Sequence, residues 1–182
     1  MLRDAMALTL AGDYAPFPTV ARGALQVVAG GSLDDDQLSH VIDAFGQLPA
    51  QPDAEPALQR LVDAPVMCLS NGLRQSTEAL LGRSGLGRFV DDIVSIDDVE
   101  QWKPAPQVHR RALDQAGRTP RQVALVAVHA FDCHGAHAAG LTTGWAPRLE
   151  HHYAEVFAPA DVVGEDLVTV IDGLLAVPPR PE

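Results

Sequence analysis

The first fifty residues carry only helical periodicity. Leu2, Met6 and Leu10 recur every four residues, and the pattern ends near Gly12. A second helix is expected over residues 18–29, stopped by Gly30-Gly31, and a third after Ser32, read as its N-cap. Asp34, Asp35 and Asp36 suit the first turn of that helix, where the dipole favours negative charge, and Leu33, Leu38, Val41, Ile42 and Phe45 form its apolar face. From Gln51 the pattern changes to short strands alternating with helices. Helices are expected over 52–63, 75–81, 106–116, 135–140 and 166–175, and strands over 65–69, 92–96, 123–128, 141–145 and 161–163. The apolar run Val123–Val128 suits a strand buried on both faces of a parallel sheet. This alternation predicts an α/β fold, a doubly wound parallel (Rossmann-like) sheet, with residues 1–50 as a small helical cap and 51–182 as the core. The tail 178–182 is expected to fray.

Composition narrows the function classes. The chain is 182 residues long, 47% hydrophobic and 20% charged, which fits one globular domain with an attached subdomain. A net charge of -11 argues against nucleic acid or an anionic membrane as partner and leaves small-molecule chemistry open. No run approaches the roughly 18 uninterrupted apolar residues of a membrane span. Two cysteines, Cys68 and Cys133, make no disulfide framework, and Met1–Phe17 lacks the features of a signal peptide. Together these point to a reducing cytoplasm.

Three polar groups fall at the ends of successive strands, the edge where open α/β sheets bind ligands. Ser70-Asn71-Gly72 offers a hydroxyl and backbone N–H groups that can cradle an anion; the plainer reading is a helix cap with a turn glycine. Lys103-Pro104-Ala105-Pro106 holds a lysine against a stiffened backbone, where its ammonium can stabilise developing negative charge; a surface lysine ahead of a helix is the alternative. His129-Ala130-Phe131-Asp132 offers a base or donor and a carboxylate able to orient water or pair with Lys103; Asp132 also suits a helix N-cap. His129, His134 and His137 do not complete a recognisable zinc pattern, and His151-His152 reads as a solvated loop pair.

In this order the motifs resemble the haloacid dehalogenase superfamily, and within it the type II (L-2-haloacid) dehalogenase branch. The resemblance implies that Ser70 and Asn71 hold the substrate carboxylate and the nucleophile, and that Lys103 keeps a nucleophilic aspartate ionised. It implies Asp132 beside the hydrolytic water, with Phe17 and Phe131 lining the substrate and halide pocket and His129 among the substrate-binding positions. Such enzymes displace halide with a carboxylate and hydrolyse the resulting ester, without a cofactor. Several positions depart from the branch: His109 replaces a tyrosine, His129 an asparagine, Ala127 a serine and Phe131 a tryptophan. Phosphatases of the superfamily place a second carboxylate four residues before the equivalent of Asp132 to share Mg²⁺; that position is Val128, which supplies no side-chain oxygen.

The superfamily's first strand ends in Asp-x-x-Gly-Thr, whose aspartate is the nucleophile, and no such segment occurs in residues 1–182. Asp4 and Asp13 have the wrong surroundings to replace it. The expectation is therefore a fold whose first central strand, between 65–69 and 123–128, is missing: a truncated, inactive dehalogenase-type hydrolase acting in principle on a small 2-halo acid. A superfamily phosphatase is one alternative. A non-catalytic binding protein, with a homodimer covering the gap, is the other.

Overall fold

A computed structural model describes residues 1–148 and 150–178. In chain order its elements are α1 (Leu2–Ala11), α2 (Phe17–Val28), α3 (Asp35–Phe45), α4 (Ala54–Leu58), β1 (Met67–Ser70), α5 (Arg74–Ser84), β2 (Asp92–Ser95), α6 (Pro106–Ala116), β3 (Ala124–Ala127), α7 (Ala130–Ala138), β4 (Thr142–Trp145), β5 (Val162–Val163) and α8 (Leu167–Ala176). They fall into two compact units. One comprises Met1–Ala50 and Met67–Trp102, the other Gln51–Val66 and the residues from Lys103 onward. Every strand pair is parallel: β1 with β2 in the first unit, β3 with β4 and β4 with β5 in the second. The α/β class with parallel strands is thus as the alternation predicts, and among the described residues it is carried by two sheets, β1-β2 and β3-β4-β5.

In the first unit, Trp102 is 1% exposed and ties the helices to the end of that unit. Its backbone N–H donates to Thr9 Oγ1 at 3.0 Å and its indole N–H to the Ala15 carbonyl at 3.1 Å. Phe17, at the start of α2, packs edge-on to Phe45 (ring centroids 5.8 Å apart) and lies 6.3 Å from the Trp102 ring. In the second unit, Leu113 of α6, Ala136 of α7 and Leu141 form a buried cluster with Val123 and Leu125 packed against it.

The structure corrects several boundaries. The N-cap of α3 is Asp34, not Ser32: its carboxylate accepts from the Gln37 N–H and the Gln37 side chain accepts from the Asp34 N–H, a reciprocal pair that Ser32 has no partner to make. The helix expected over 52–63 is the five-residue α4, with Pro56 inside it. α7 starts at Ala130, not Gly135, so Asp132 lies in its first turn and His129 is the N-cap residue. Of the tail expected to fray, residues 179–182 lie outside the described residues. Among the described residues, no helix is long and apolar enough to cross a membrane.

Close packing of α8 on β4 depends on Gly144, where a Cβ would stand 2.5 Å from Val170 Cγ1 and 2.9 Å from Leu174 Cδ1. Gly144→Ala is expected to destabilise by about 1–3 kcal/mol through overpacking. Gly23→Ala, at a mid-helix site with nothing within 4 Å of an added Cβ, should instead stabilise by about 0.5–1 kcal/mol. Urea unfolding of the two variants checks the contrast.

Candidate active site

The carboxyl edge of β3 is built from three stretches of the second unit. The first is the Lys103 segment ahead of α6, where Pro106 opens the helix and presets its first turn. The second is the β3–α7 turn. The third is the segment after β4 that carries Glu150. Lys103 Nζ donates to Asp132 Oδ2 at 2.9 Å, and the two side chains are 11% and 10% exposed. Water is largely excluded, so this charge-assisted bond acts in a medium that strengthens it. Asp132 Oδ1 is buried and accepts no hydrogen bond among the described residues. That oxygen can therefore accept from a water O–H.

The approach of α7 that makes this contact relies on Gly135. A Cβ there would stand 2.5 Å from Pro104 Cβ and 3.0 Å from His109 Nε2. His109 itself is 0% exposed, and neither ring nitrogen has a hydrogen-bond partner among the described residues. Burial holds its pKa below the ordinary 6.5; the Asp132 carboxylate pulls it up, while the Lys103 charge adds to the depression. A neutral imidazole thus packs beside the ion pair.

His129 stacks on Phe131 with centroids 5.1 Å apart and planes 17° apart. Its Nδ1 lies 3.0 Å from Glu150 Oε1, and the other Glu150 oxygen accepts from the Ala130 N–H at 2.8 Å. This carboxylate satisfies a backbone donor of the first turn of α7, a role the sequence reading left to nearby residues. Glu150 was not among the expected site residues. The one signal available was its place in the segment following β4, at the same sheet edge. Cys133 is a buried thiol whose pKa burial pushes up to about 12, so it is no nucleophile.

The remaining expected residues lie in the first unit. Ser70 ends β1, and its Oγ accepts from the Gly72 N–H at 2.9 Å and from Thr77 Oγ1 at 3.2 Å. Asn71 follows it, half-buried. Beyond them, Ser95 Oγ donates to the Gly72 carbonyl at 2.9 Å, and the Tyr14 hydroxyl donates to Asp97. Burial, with Asp97 next to it, raises the Tyr14 pKa. Ser70 thus orders the turn after β1 through its hydroxyl, but it is not a helix cap: the N-cap residue of α5 is Leu73, with no side-chain cap bond. Phe17 is packed within the Phe45–Trp102 cluster of this unit. The structure therefore joins Lys103 to Asp132 and His129 to Phe131 in one unit, and sets Ser70, Asn71 and Phe17 in the other.

A family model described as haloacid dehalogenase-like hydrolase matches residues 9–140, a stretch that includes Phe17, Ser70, Asn71, Lys103 and Asp132. The chain belongs to the haloacid dehalogenase-like hydrolase family. It is 32% identical over 156 residues to (S)-2-haloacid dehalogenase 1 of Pseudomonas sp. (strain CBS-3), a match covering 83% of this chain and 69% of that protein. It is 36% identical over 121 residues to (S)-2-haloacid dehalogenase 4A of Burkholderia cepacia, covering 65% of this chain and only 52% of that one. Among solved structures it is similar to the L-2-haloacid dehalogenase from Xanthobacter autotrophicus, with a TM-score of 0.88 and 25% identity over 97% of this chain and 83% of the other. In this haloacid dehalogenase-like chain, Glu150 lies beyond the last residue of the family match.

Proposed function

We propose that this chain carries the water-handling and anion-binding side of a 2-haloacid dehalogenase. In this reading residues 1–50 serve as the cap and 51–182 as the core. Ser70 and Asn71 take the substrate carboxylate, Phe17 and Phe131 line the apolar pocket, and Lys103 keeps an attacking carboxylate ionised. Asp132 directs the water that hydrolyses the ester. The observation that carries this reading is the buried Lys103–Asp132 pair, which puts an ammonium and a carboxylate oxygen with spare acceptor capacity side by side. Similarity to proteins named (S)-2-haloacid dehalogenase supports a small 2-halo acid as substrate. Acting as a homodimer in the cytoplasm belongs to the same proposal.

Displacement of halide needs a carboxylate nucleophile, and residues 1–182 contain no Asp-x-x-Gly-Thr segment to supply it. The 182-residue polypeptide alone is expected to release no chloride from 2-chloropropionate. The same polypeptide preceded by a strand bearing Asp-x-x-Gly-Thr should release it from one enantiomer. Absence of chloride from that longer protein defeats the substrate assignment. Mg²⁺-dependent phosphate release from an aryl phosphate would favour a phosphatase, against which Val128 stands: it has no oxygen ligand in its side chain, and its carbonyl accepts from the Trp145 indole at 3.1 Å.

A further inference from the structure

We infer that Glu150 is a positioning residue that holds His129 as the proton acceptor for the water-attack step of the reaction proposed above, on which this role rests. An ionised carboxylate only accepts hydrogen bonds. The 3.0 Å contact between Glu150 Oε1 and His129 Nδ1 therefore places the neutral ring's proton on Nδ1, leaving the lone pair on Nε2. The second Glu150 oxygen is held by the Ala130 N–H at 2.8 Å, so adjacent residues grip both ends of one carboxylate. Phe131, stacked on the ring, fixes its plane. A histidine with one nitrogen tied to a carboxylate and its ring plane fixed has the construction of a general base.

The segment that brings Glu150 here is anchored on both sides. Arg148 Nη2 meets Asp53 Oδ1 at 2.5 Å and Oδ2 at 2.6 Å, and Asp53 Oδ2 also accepts from the Leu167 N–H at 2.8 Å. Although burial opposes it, those bonds hold the Asp53 carboxyl below its ordinary pKa. Downstream, Tyr153 packs edge-on to Trp145 at 5.0 Å and donates to the Ala158 carbonyl at 2.7 Å, while the Ala158 N–H donates to His134 Nδ1 at 3.1 Å. The other charged groups of this edge are Lys103 and Asp132, which are bound to each other. His129 and Asp132 share the β3–α7 turn, with the Asp132 N–H donating to the His129 carbonyl at 3.1 Å.

In the step this serves, water oxygen attacks the carbonyl carbon of the enzyme ester while one water proton passes to His129 Nε2. The ester C–O bond then breaks. The protonated ring returns that proton to the departing alkoxide, giving the 2-hydroxy acid, and the regenerated carboxylic acid loses the second water proton to solvent. Nothing is oxidised or reduced.

Neutral-pH ¹⁵N NMR of the 182-residue chain tests the tautomer directly. Wild type should carry its His129 proton on Nδ1. In Glu150→Gln the amide carbonyl can keep the Ala130 bond while its N–H₂ faces Nδ1, so the proton should move to Nε2. A wild-type ring protonated on Nε2 overturns the inference whatever the reaction. The strand-bearing protein gives the second readout. In Glu150→Gln, first-turnover chloride should still appear, but 2-hydroxy acid formation should slow at least about 100-fold, with ester accumulating by mass. Equal hydroxy-acid rates in variant and wild type would reduce Glu150 to a helix cap and overturn its positioning role. A strand-bearing wild type that releases no chloride overturns the reaction itself, and the role with it; the silent wild type tells that outcome apart.

Discussion

Lys103→Met is expected to lower the unfolding free energy by about 3–5 kcal/mol, the typical cost of stranding one member of a buried ion pair. The side chains of Lys103 and Asp132 are 11% and 10% exposed, so water cannot replace the lost ammonium cheaply. Methionine keeps much of the lysine stem's volume, so packing loss is small and the penalty is mainly electrostatic. Asp132 Oδ1 is already without a partner among the described residues, and the variant removes the donor to Oδ2 as well. A double variant, Lys103→Met with Asp132→Leu, removes the stranded charge and should recover most of the stability, yet neither protein should support chloride release once the nucleophile strand is present. Urea unfolding followed by circular dichroism gives the first comparison and halide assay the second. A single variant that loses under about 1 kcal/mol would place the pair in the class of solvent-screened surface bridges.

What the chain disclosed in advance follows from the range of the interactions involved. The α6 boundaries, Pro106–Ala116, are those expected, because a proline start and the following Gly117 are local signals. The β3 run was equally visible as a strand from its continuous apolar residues, but the burial on both faces that it predicts is not found: Ala124 is exposed and Leu125, Val126 and Ala127 are half-buried. The start of α7 was not. Its first-turn N–H is satisfied by Glu150, twenty residues further along, and no local pattern announces such a partner. The Arg148–Asp53 contact spans 95 residues and was likewise invisible. The Lys103–Asp132 pairing was foreseeable because both residues stand at strand ends, where the fold class brings loop tips to one edge. Ser32 was misread as a cap because the reciprocal bond between Asp34 and Gln37 outcompetes a lone hydroxyl two residues earlier. His109 stood out in the sequence as a departure from the resembled branch, but only the structure shows it fully buried with neither ring nitrogen bonded.

That burial makes His109 an acid-sensitive element. Its folded-state pKa lies below 6.5, chiefly through burial, so between that depressed value and 6.5 the unfolded chain binds the extra proton and the folded chain does not. Stability from this residue is therefore fully present above about pH 6.5 and declines as pH falls toward the folded value, with a slope of up to about 1.4 kcal/mol per pH unit. The carboxylates held below their ordinary values, Asp4, Asp53 and Asp166, act in the same direction but lose their contribution only as pH falls below about 4. The two windows are separable. His109→Leu, which fills the site without a titratable ring, should flatten the profile from pH 6.5 to 5 while leaving the decline below pH 4 in place. Urea midpoints measured across pH 3–7.5 decide it. A His109→Leu profile parallel to wild type through that range would mean that the imidazole takes up its proton alike in the folded and the unfolded chain, and that burial does not depress its pKa.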